Sequence, residues 1–387
     1  KIKPAFENYT LTSYEAAMLL KKKFFNDQQV PIFCKATAED AASNDQRSDE
    51  LFQMIKESRE KMDSHHYSNE GGRQIDIDLY KNIIEVVHTD DDSQLYVVTD
   101  QKGTQKYMAK VFNDQSDELI KQFSKELSFI RLLKYPSIVN FIGYSEVDFH
   151  HQDNPVLLTD FYRRGTLLNV LEIEDQKNGR LKLHEKGFDD WNNTKKMICL
   201  IGIALGMKYV HEHKIIHRNL SSSNVYLDEN LYPKIGDFGL SKSSQLQYNQ
   251  TLFAGKNAII APELITGNNS YSFPVDVFAY SLIAYHIISH HKPTIPTNSP
   301  YFLHLKIVQE EARPALSYIP AKFHNFIKEM WKQDQFERPN FGQIVRTLLT
   351  EKDSLWLDDV DEGEVNRYLH QFGLSIRNNK RPSKIEI

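Results

Sequence analysis

The chain has 387 residues, of which 40% are hydrophobic and 26% charged, and its formal net charge is −5. That length exceeds one ordinary core and predicts two domains or one large bilobal domain. The acidic balance offers no general attraction for nucleic acid or an anionic membrane surface, and no apolar run reaches the ~18–20 residues of a membrane helix. Two cysteines, Cys34 and Cys199, argue against a disulfide scaffold and for a reducing compartment. The opening KIKPAFENYT lacks a signal peptide's apolar stretch, so a cytoplasmic protein with no membrane span is expected.

Residues 1–75 read as a helical extension and linker. SYEAAMLLKKKFF (13–25) and SDELFQMIKESREKM (48–62) place apolar residues at helical spacing, and SHHYSNEGGR (64–73) has linker composition. From residue 79 short β-rich runs take over. NIIEVVH (82–88), LYVVTD (95–100), QKYMAKVF (105–112), IVNFIGYSEV (138–147) and PVLLTDF (155–161) are predicted strands. One predicted helix, SDELIKQFSKELSFIRLLK (116–134), interrupts them. After residue 188 the pattern is helical: MICLIGIALGMKYVHEH (197–213), VDVFAYSLIAYHII (275–288), YIPAKFHNFIKEMWK (318–332) and FGQIVRTLLT (341–350). Residues 351–387 hold an acidic helix, DEGEVNRYLHQFG (361–373), and a basic end. Strands with one helix, followed by a helix-rich half, predict an α+β arrangement in two lobes.

Several short motifs follow one another in a fixed order. Lys110 ends the strand YMAK, and Glu126 lies in the next helix. HRNLSSSN (217–224) follows a helical segment, DFG (237–239) follows PKIG, and APE (261–263) closes a polar stretch. Each alone is weak, but their order and separations are not a chance pattern. The arrangement resembles the protein kinase domain over residues 79–350, with a small lobe at 79–159, a hinge at 160–164 and a large lobe at 165–350. TDF, RRGTL, DVFAY and WKQDQFERPNF are most similar to the tyrosine-kinase-like group.

The resemblance implies roles residue by residue. Lys110 paired with Glu126 would hold the α- and β-phosphates of ATP, and Asn224 with Asp237 would supply oxygen ligands to Mg²⁺. Val97 and Ala109 would line the adenine site, with Thr159 as gatekeeper. The hinge at Asp160, Phe161 and Tyr162 would read the base, and Tyr226 stands where the adenine floor is usually leucine. Arg338 is implied to pair with Glu263.

Four departures stand beside these matches. The acid of the catalytic loop is Asn219, whose neutral amide accepts no proton near pH 7; general-base help is worth roughly 10²–10⁴ in rate. Ser221 replaces the lysine that serine/threonine kinases place two residues on. GKNAIIAPE (255–263) carries Lys256 and Ile259 where GTxxYMAPE is usual. The glycines of the nucleotide lid, G-x-G-x-x-G-x-V, fall on Asp90, Asp92 and Leu95 in DDDSQLYV (90–97). Only a bare backbone lets N–H groups approach phosphates closely. Each added carboxylate ~6 Å from a phosphate repels it by nearly 3 kcal/mol at an effective dielectric of ~20.

The expectation is therefore a pseudokinase that signals as a scaffold or allosteric partner of other signalling proteins, with phosphoryl transfer impaired or absent and Mg-ATP a doubtful cofactor. The alternatives are a slow serine/threonine kinase and a nucleotide sensor without transfer. Lys110, Glu126 and Asp237 then serve either nucleotide contact or a buried charge network.

Overall fold

The computed structural model describes residues 74–376 apart from 81, 90–92, 114–116, 179–189, 240, 244–258, 267–271 and 298. They belong to one compact unit, Gly71–Gln247 with Ala258–Ile387; the other unit, Lys1–Glu70 with Tyr248–Asn257, lies outside the described residues, as do the two N-terminal helices expected above.

The small lobe is a five-stranded antiparallel sheet in the order β1-β2-β3-β5-β4. Its strands are β1 (Asn82–Thr89), β2 (Ser93–Thr99), β3 (Lys106–Phe112), β4 (Phe141–Ser145) and β5 (Val156–Asp160). The helix α1 (Asp117–Leu132) sits between β3 and β4 in sequence. Strand alternation sorts the side chains into two faces. Val98, Ala109, Val111, Val156 and Leu158 form an outer cluster, which Ile77 joins from the segment before β1. Phe112, Leu119, Phe123 and Leu157 cluster on the inner face, against α1. The small lobe starts earlier than the sequence indicated, because Ile75 donates its N–H to Tyr144 O at 2.8 Å and Gln74 bridges to β4.

The large lobe runs α2 (Leu167–Asn178), α3 (Asn193–Glu212), β6 (Ile215–Ile216), β7 (Val225–Leu227), β8 (Pro233–Ile235) and β9 (Lys242–Ser243). It continues with α4 (Pro262–Thr266), α5 (Pro274–Ser289), α6 (Pro300–Gln309), α7 (His324–Met330), α8 (Phe341–Thr350), α9 (Lys352–Leu355) and α10 (Glu362–Leu369). Apolar residues surround α3 and α5 on every side, as expected of helices buried in a core. The α3 helix begins four residues before the predicted start, where the Asn192 side chain accepts from Lys195 N at 3.1 Å. The predicted helix over 318–332 is broken by Pro320 into 3₁₀ turns followed by α7. Among the described residues no helix is long and apolar enough to cross a membrane.

Two buried charged groups fix the loops. Arg338, fully buried, binds Glu263 through both guanidinium nitrogens at 2.6 and 2.9 Å, as the sequence implied. Asp276 of α5 accepts N–H bonds from His217 and Arg218, both at 2.8 Å, and lies 2.8 Å from His211 Nε2. The segment that opens the HRN motif therefore hangs from one carboxylate. Burial would raise the Asp276 carboxyl, but the bond and charge of His211, with His217, hold it below the usual range. Burial pushes the His217 imidazole down, with Asp276 and Asp237 offsetting part of the effect.

Two predictions follow from these groups. Replacing Glu263 with Ala leaves a buried guanidinium unpaired and lowers the unfolding free energy by about 3–5 kcal/mol in urea titrations; a loss under about 1 kcal/mol would show that the pair is dispensable. His217 stays neutral when folded but takes a proton near pH 6.5 when unfolded. Its contribution is thus intact above that pH and is lost as pH falls through the lower folded value. The melting temperature should be flat from pH 8 to 7 and fall from 6.5 to 5. His217→Phe should make that fall shallower, and an unchanged slope would assign it to another buried imidazole such as His304, also shifted down by burial.

Candidate functional site: the cleft around Lys110 and Asp237

Lys110 points from β3 into the space between the lobes. Its ammonium donates to Glu126 Oε2 of α1 at 2.9 Å and to Asp237 Oδ1 at 3.2 Å. Burial alone would lower the lysine pKa; Glu126 and Asp237 reverse this and raise it, so the ammonium stays charged. Asp237 and Arg218 both adopt left-handed backbone, φ 60° and 66°, a conformation that non-glycine residues hold only where their surroundings enforce it.

The loop beneath supplies a second donor. Asn219 Nδ2 donates to Asp237 Oδ2 at 2.6 Å, so each oxygen of the Asp237 carboxylate accepts a hydrogen bond. A carboxylate has no proton to give at neutral pH, so the amide must present its NH₂ and not its oxygen. Burial raises the Asp237 carboxyl, but Lys110, His217 and the two hydrogen bonds outweigh it and hold it below the usual range. Asn224 Nδ2 donates to the Asn219 carbonyl at 2.7 Å and tightens the loop. Ser221 sits at the start of the 3₁₀ turn Ser222–Asn224, its hydroxyl 2.8 Å from that of Ser223. His217 donates through Nε2 to Gly236 O at 3.1 Å and packs against Phe238, ring centroids 4.8 Å apart. The glycine of DFG sits close to the network: a Cβ at Gly239 would stand 3.0 Å from Glu126 Oε2 and 3.2 Å from Gln122 Nε2, so these side-chain ends would have to shift to admit one.

The roof differs from the sequence expectation at one position. Val97 is almost fully buried and pairs directly with Met108, which in turn pairs with Thr159. Ala109, expected beside Val97, lies on the opposite face of β3 in the outer cluster and does not line the cleft. The strand period explains the correction: Lys110 and the residue two before it share a face, which makes Met108 the lining residue. Leu95 pairs with Lys110 in the strand register, so a branched residue shares the face of Lys110 where the lid motif has glycine. Asp90, Asp92 and Lys256 lie outside the described residues.

At the hinge, Asp160 N donates to Asn140 O at 3.1 Å, and Asn140 Nδ2 returns a bond to Asp160 Oδ2 at 3.1 Å. The Tyr162 hydroxyl accepts from Asn140 N at 3.0 Å, and the Phe161 ring lies under Lys106 Nζ at 5.6 Å. Tyr226 on β7 packs inward against Tyr162, ring centroids 5.9 Å apart, and against Gly236, where a Cβ would meet its ring at 3.0 Å. Burial and the nearby Asp237 charge push its hydroxyl up to about 12. The residues brought together are thus Lys110, Glu126, Asn219, Asn224, Asp237, Val97, Thr159 and Tyr226, with Met108 replacing Ala109.

A family profile described as protein tyrosine and serine/threonine kinase matches residues 86–348. A probable serine/threonine-protein kinase of Dictyostelium discoideum is 30% identical over 64% of this chain and 22% of its own length. The RGS domain-containing serine/threonine-protein kinase A of the same organism is 29% identical over 59% of this chain and 19% of its own. The Arabidopsis thaliana serine/threonine-protein kinase STY17 is 27% identical over 60% of this chain and 37% of its own. The chain therefore spans well under half of these relatives' lengths. Because the matched stretch takes in the five-stranded sheet, the Lys110–Glu126–Asp237 constellation and the large-lobe helices through α8, the chain belongs to the protein kinase family.

Proposed function

We propose that this protein is a pseudokinase, a kinase-family member that acts on other signalling proteins as a scaffold or allosteric partner and transfers phosphoryl groups feebly or not at all. The observation that carries the reading is the 2.6 Å bond from the Asn219 amide to Asp237 Oδ2. Asn219 stands where the family places the group that accepts the substrate hydroxyl's proton, and here it acts as a donor to the neighbouring acid. Loss of that base costs roughly 10²–10⁴ in rate. Ser221 in place of a lysine removes a charge that would offset the transferring phosphoryl group.

The residues fit Mg-ATP poorly. Magnesium takes hard oxygen ligands and tolerates little distortion, and each Asp237 oxygen, which accepts one hydrogen bond from Lys110 or Asn219, would have to take the ion on its remaining lone pair. Leu95 and Tyr226 are bulkier than the glycine and leucine that the family places at these positions, which leaves less room for a nucleotide's phosphates and base. Bound Mg-ATP would supply the transferable phosphoryl group; Lys110, Asn224 and Asp237 are the residues available to hold it.

One observation favours the rival reading of a slow serine/threonine kinase: Lys110, Glu126 and Asp237 are in bonding contact, and the relatives above are named serine/threonine kinases. Purified protein with radiolabelled ATP, Mg²⁺ or Mn²⁺ and a generic substrate distinguishes the two. Little incorporation is expected; clear incorporation that vanishes in Asp237→Ala would establish the kinase. Thermal melts address the third reading, a nucleotide sensor. No shift with Mg-ATP is expected, whereas a rise of several degrees that Lys110→Ala removes would show that nucleotide binds.

Asn219→Asp gives a sharper test of the network. Two carboxylates at hydrogen-bond distance repel by on the order of 5 kcal/mol at an effective dielectric of ~20 before water screens them. The variant should melt lower than the native protein in EDTA, recover with millimolar Mg²⁺ and stay nearly inactive. Robust activity from that one change would show that the lid, Ser221 and Lys256 matter little.

A further inference from the structure

We infer that residues 361–376, which follow the kinase-family match, brace the turn at 133–139 and through it set the positions of both acids that hold Lys110. The inference is independent of whether the cleft binds nucleotide.

The acids hang from one turn. Glu126 lies on α1, which ends at Leu132 and runs straight into residues 133–139. Asp237 follows β8, and that same turn is bonded to β8 on both sides. Ile235 N donates to Ser137 O at 2.7 Å, Val139 N to Ile235 O at 2.9 Å, and Lys234 Nζ to Pro136 O at 2.6 Å. A displacement of the turn therefore moves the base of α1 and the strand leading to Asp237 together. Rigid elements joined by short bonded connections transmit such shifts.

The C-terminal segment reaches this turn with aromatic rings. Tyr135 stacks on Tyr209 of α3, centroids 4.3 Å apart and planes 7° from parallel, and also packs on the Phe372 ring at 5.2 Å. Lys134 N donates to the Tyr209 hydroxyl at 3.3 Å. Phe372 packs on Tyr368 at 5.1 Å, and Tyr368 on Tyr232, just before β8, at 4.7 Å. Tyr368 is almost fully buried, beside Val365 and Leu369, both wholly buried. One segment thus touches the turn at Tyr135 and the approach to β8 at Tyr232.

The segment is itself anchored to the rear of the large lobe. The Asp361 side chain caps α10 through Gly363 N at 2.8 Å and Glu364 N at 3.1 Å, and Asp361 N donates to Thr194 Oγ1 at 2.8 Å. Lys195 pairs with Glu364 and lies over the Tyr232 ring at 5.1 Å. Ile376 N donates to Asn366 Oδ1 at 2.7 Å and closes the end. A glycine in α3 admits the helix: a Cβ at Gly202 would overlap Tyr368 Oη and stand 2.6 Å from Pro233 Cγ. The close approach is therefore built from both sides.

Hydrogen–deuterium exchange on the full chain tests the brace. The variants are Phe372→Leu, which keeps apolar volume but removes the ring, and Gly202→Ala, which crowds Tyr368; neither residue touches Lys110 or its acids. Ile307→Val, in the separate cluster under α6, is the control. Both brace variants should speed exchange about tenfold or more in 117–139 and 225–237 as well as in 361–376, with α6 unchanged. Tyr135→Leu combined with Phe372→Leu should add little to either single change. Faster exchange confined to 361–376, or spread evenly over α6 as well, would overturn the inference, as would full additivity of the pair.

Discussion

A buried ammonium stays charged only while carboxylates stand beside it, and in this protein that condition joins the two lobes. Lys110 comes from the small-lobe sheet, Glu126 from the small-lobe helix and Asp237 from the segment after a large-lobe strand. Removing any one of the three would leave a partly buried charge with fewer partners, although Lys110 and Asp237 keep 22% and 28% of their side-chain surface exposed. The interaction therefore fixes the stance of α1 and the conformation of the DFG segment at the same time. Left-handed backbone at Asp237 and Arg218 shows how tightly the surroundings dictate this arrangement.

Asn219 alters the electrostatic problem at this point. An acid in its place would bring a second negative charge towards Asp237, which a cation or a proton would have to neutralise. An amide supplies a donor instead, so the carboxylate is satisfied by Lys110 on one oxygen and Asn219 on the other. The same substitution that removes a proton acceptor thus lets the cleft close its own hydrogen bonds. Under the proposed function this is coherent: a surface presented to partners benefits from a fixed lobe arrangement that needs no bound nucleotide.

Most of the fold was legible because the signals were local. Short β-rich runs mark the five strands, and the Lys110, HRN, DFG and APE motifs follow an order that leaves one reading of the fold. The helices α2 and α6 escaped, since Leu167–Asn178 is charged along much of its length and Pro300–Gln309 begins at a proline after a polar loop. The site was legible as a set of residues but not as contacts. Ala109 was placed on the wrong face although strand period alone assigns Met108, two residues before Lys110, to the cleft. Asn219 could be read as a missing base; that its NH₂ would meet Asp237 depends on the positions of two chain segments that only folding brings together. The inward turn of Tyr226 follows from its packing on Tyr162 and Gly236, which are likewise distant in sequence.

The sequence marks an acidic helix at 361–373, and nothing in its spacing names a partner. Its apolar stripe is short, and isolated helices of such length are marginal in water. Stability must come from docking, and the docking surface includes Gly202 of α3, Tyr232 before β8 and Tyr135 after α1, three residues distant from one another in sequence. That geometry places an aromatic contact from outside the family match against the very turn from which α1 and β8 diverge. Asn219 donates to Asp237, and the C-terminal segment packs on the turn that follows α1, the helix of Glu126. Under the proposed function, in which the cleft works without nucleotide, these two contacts are the ones available to organise it.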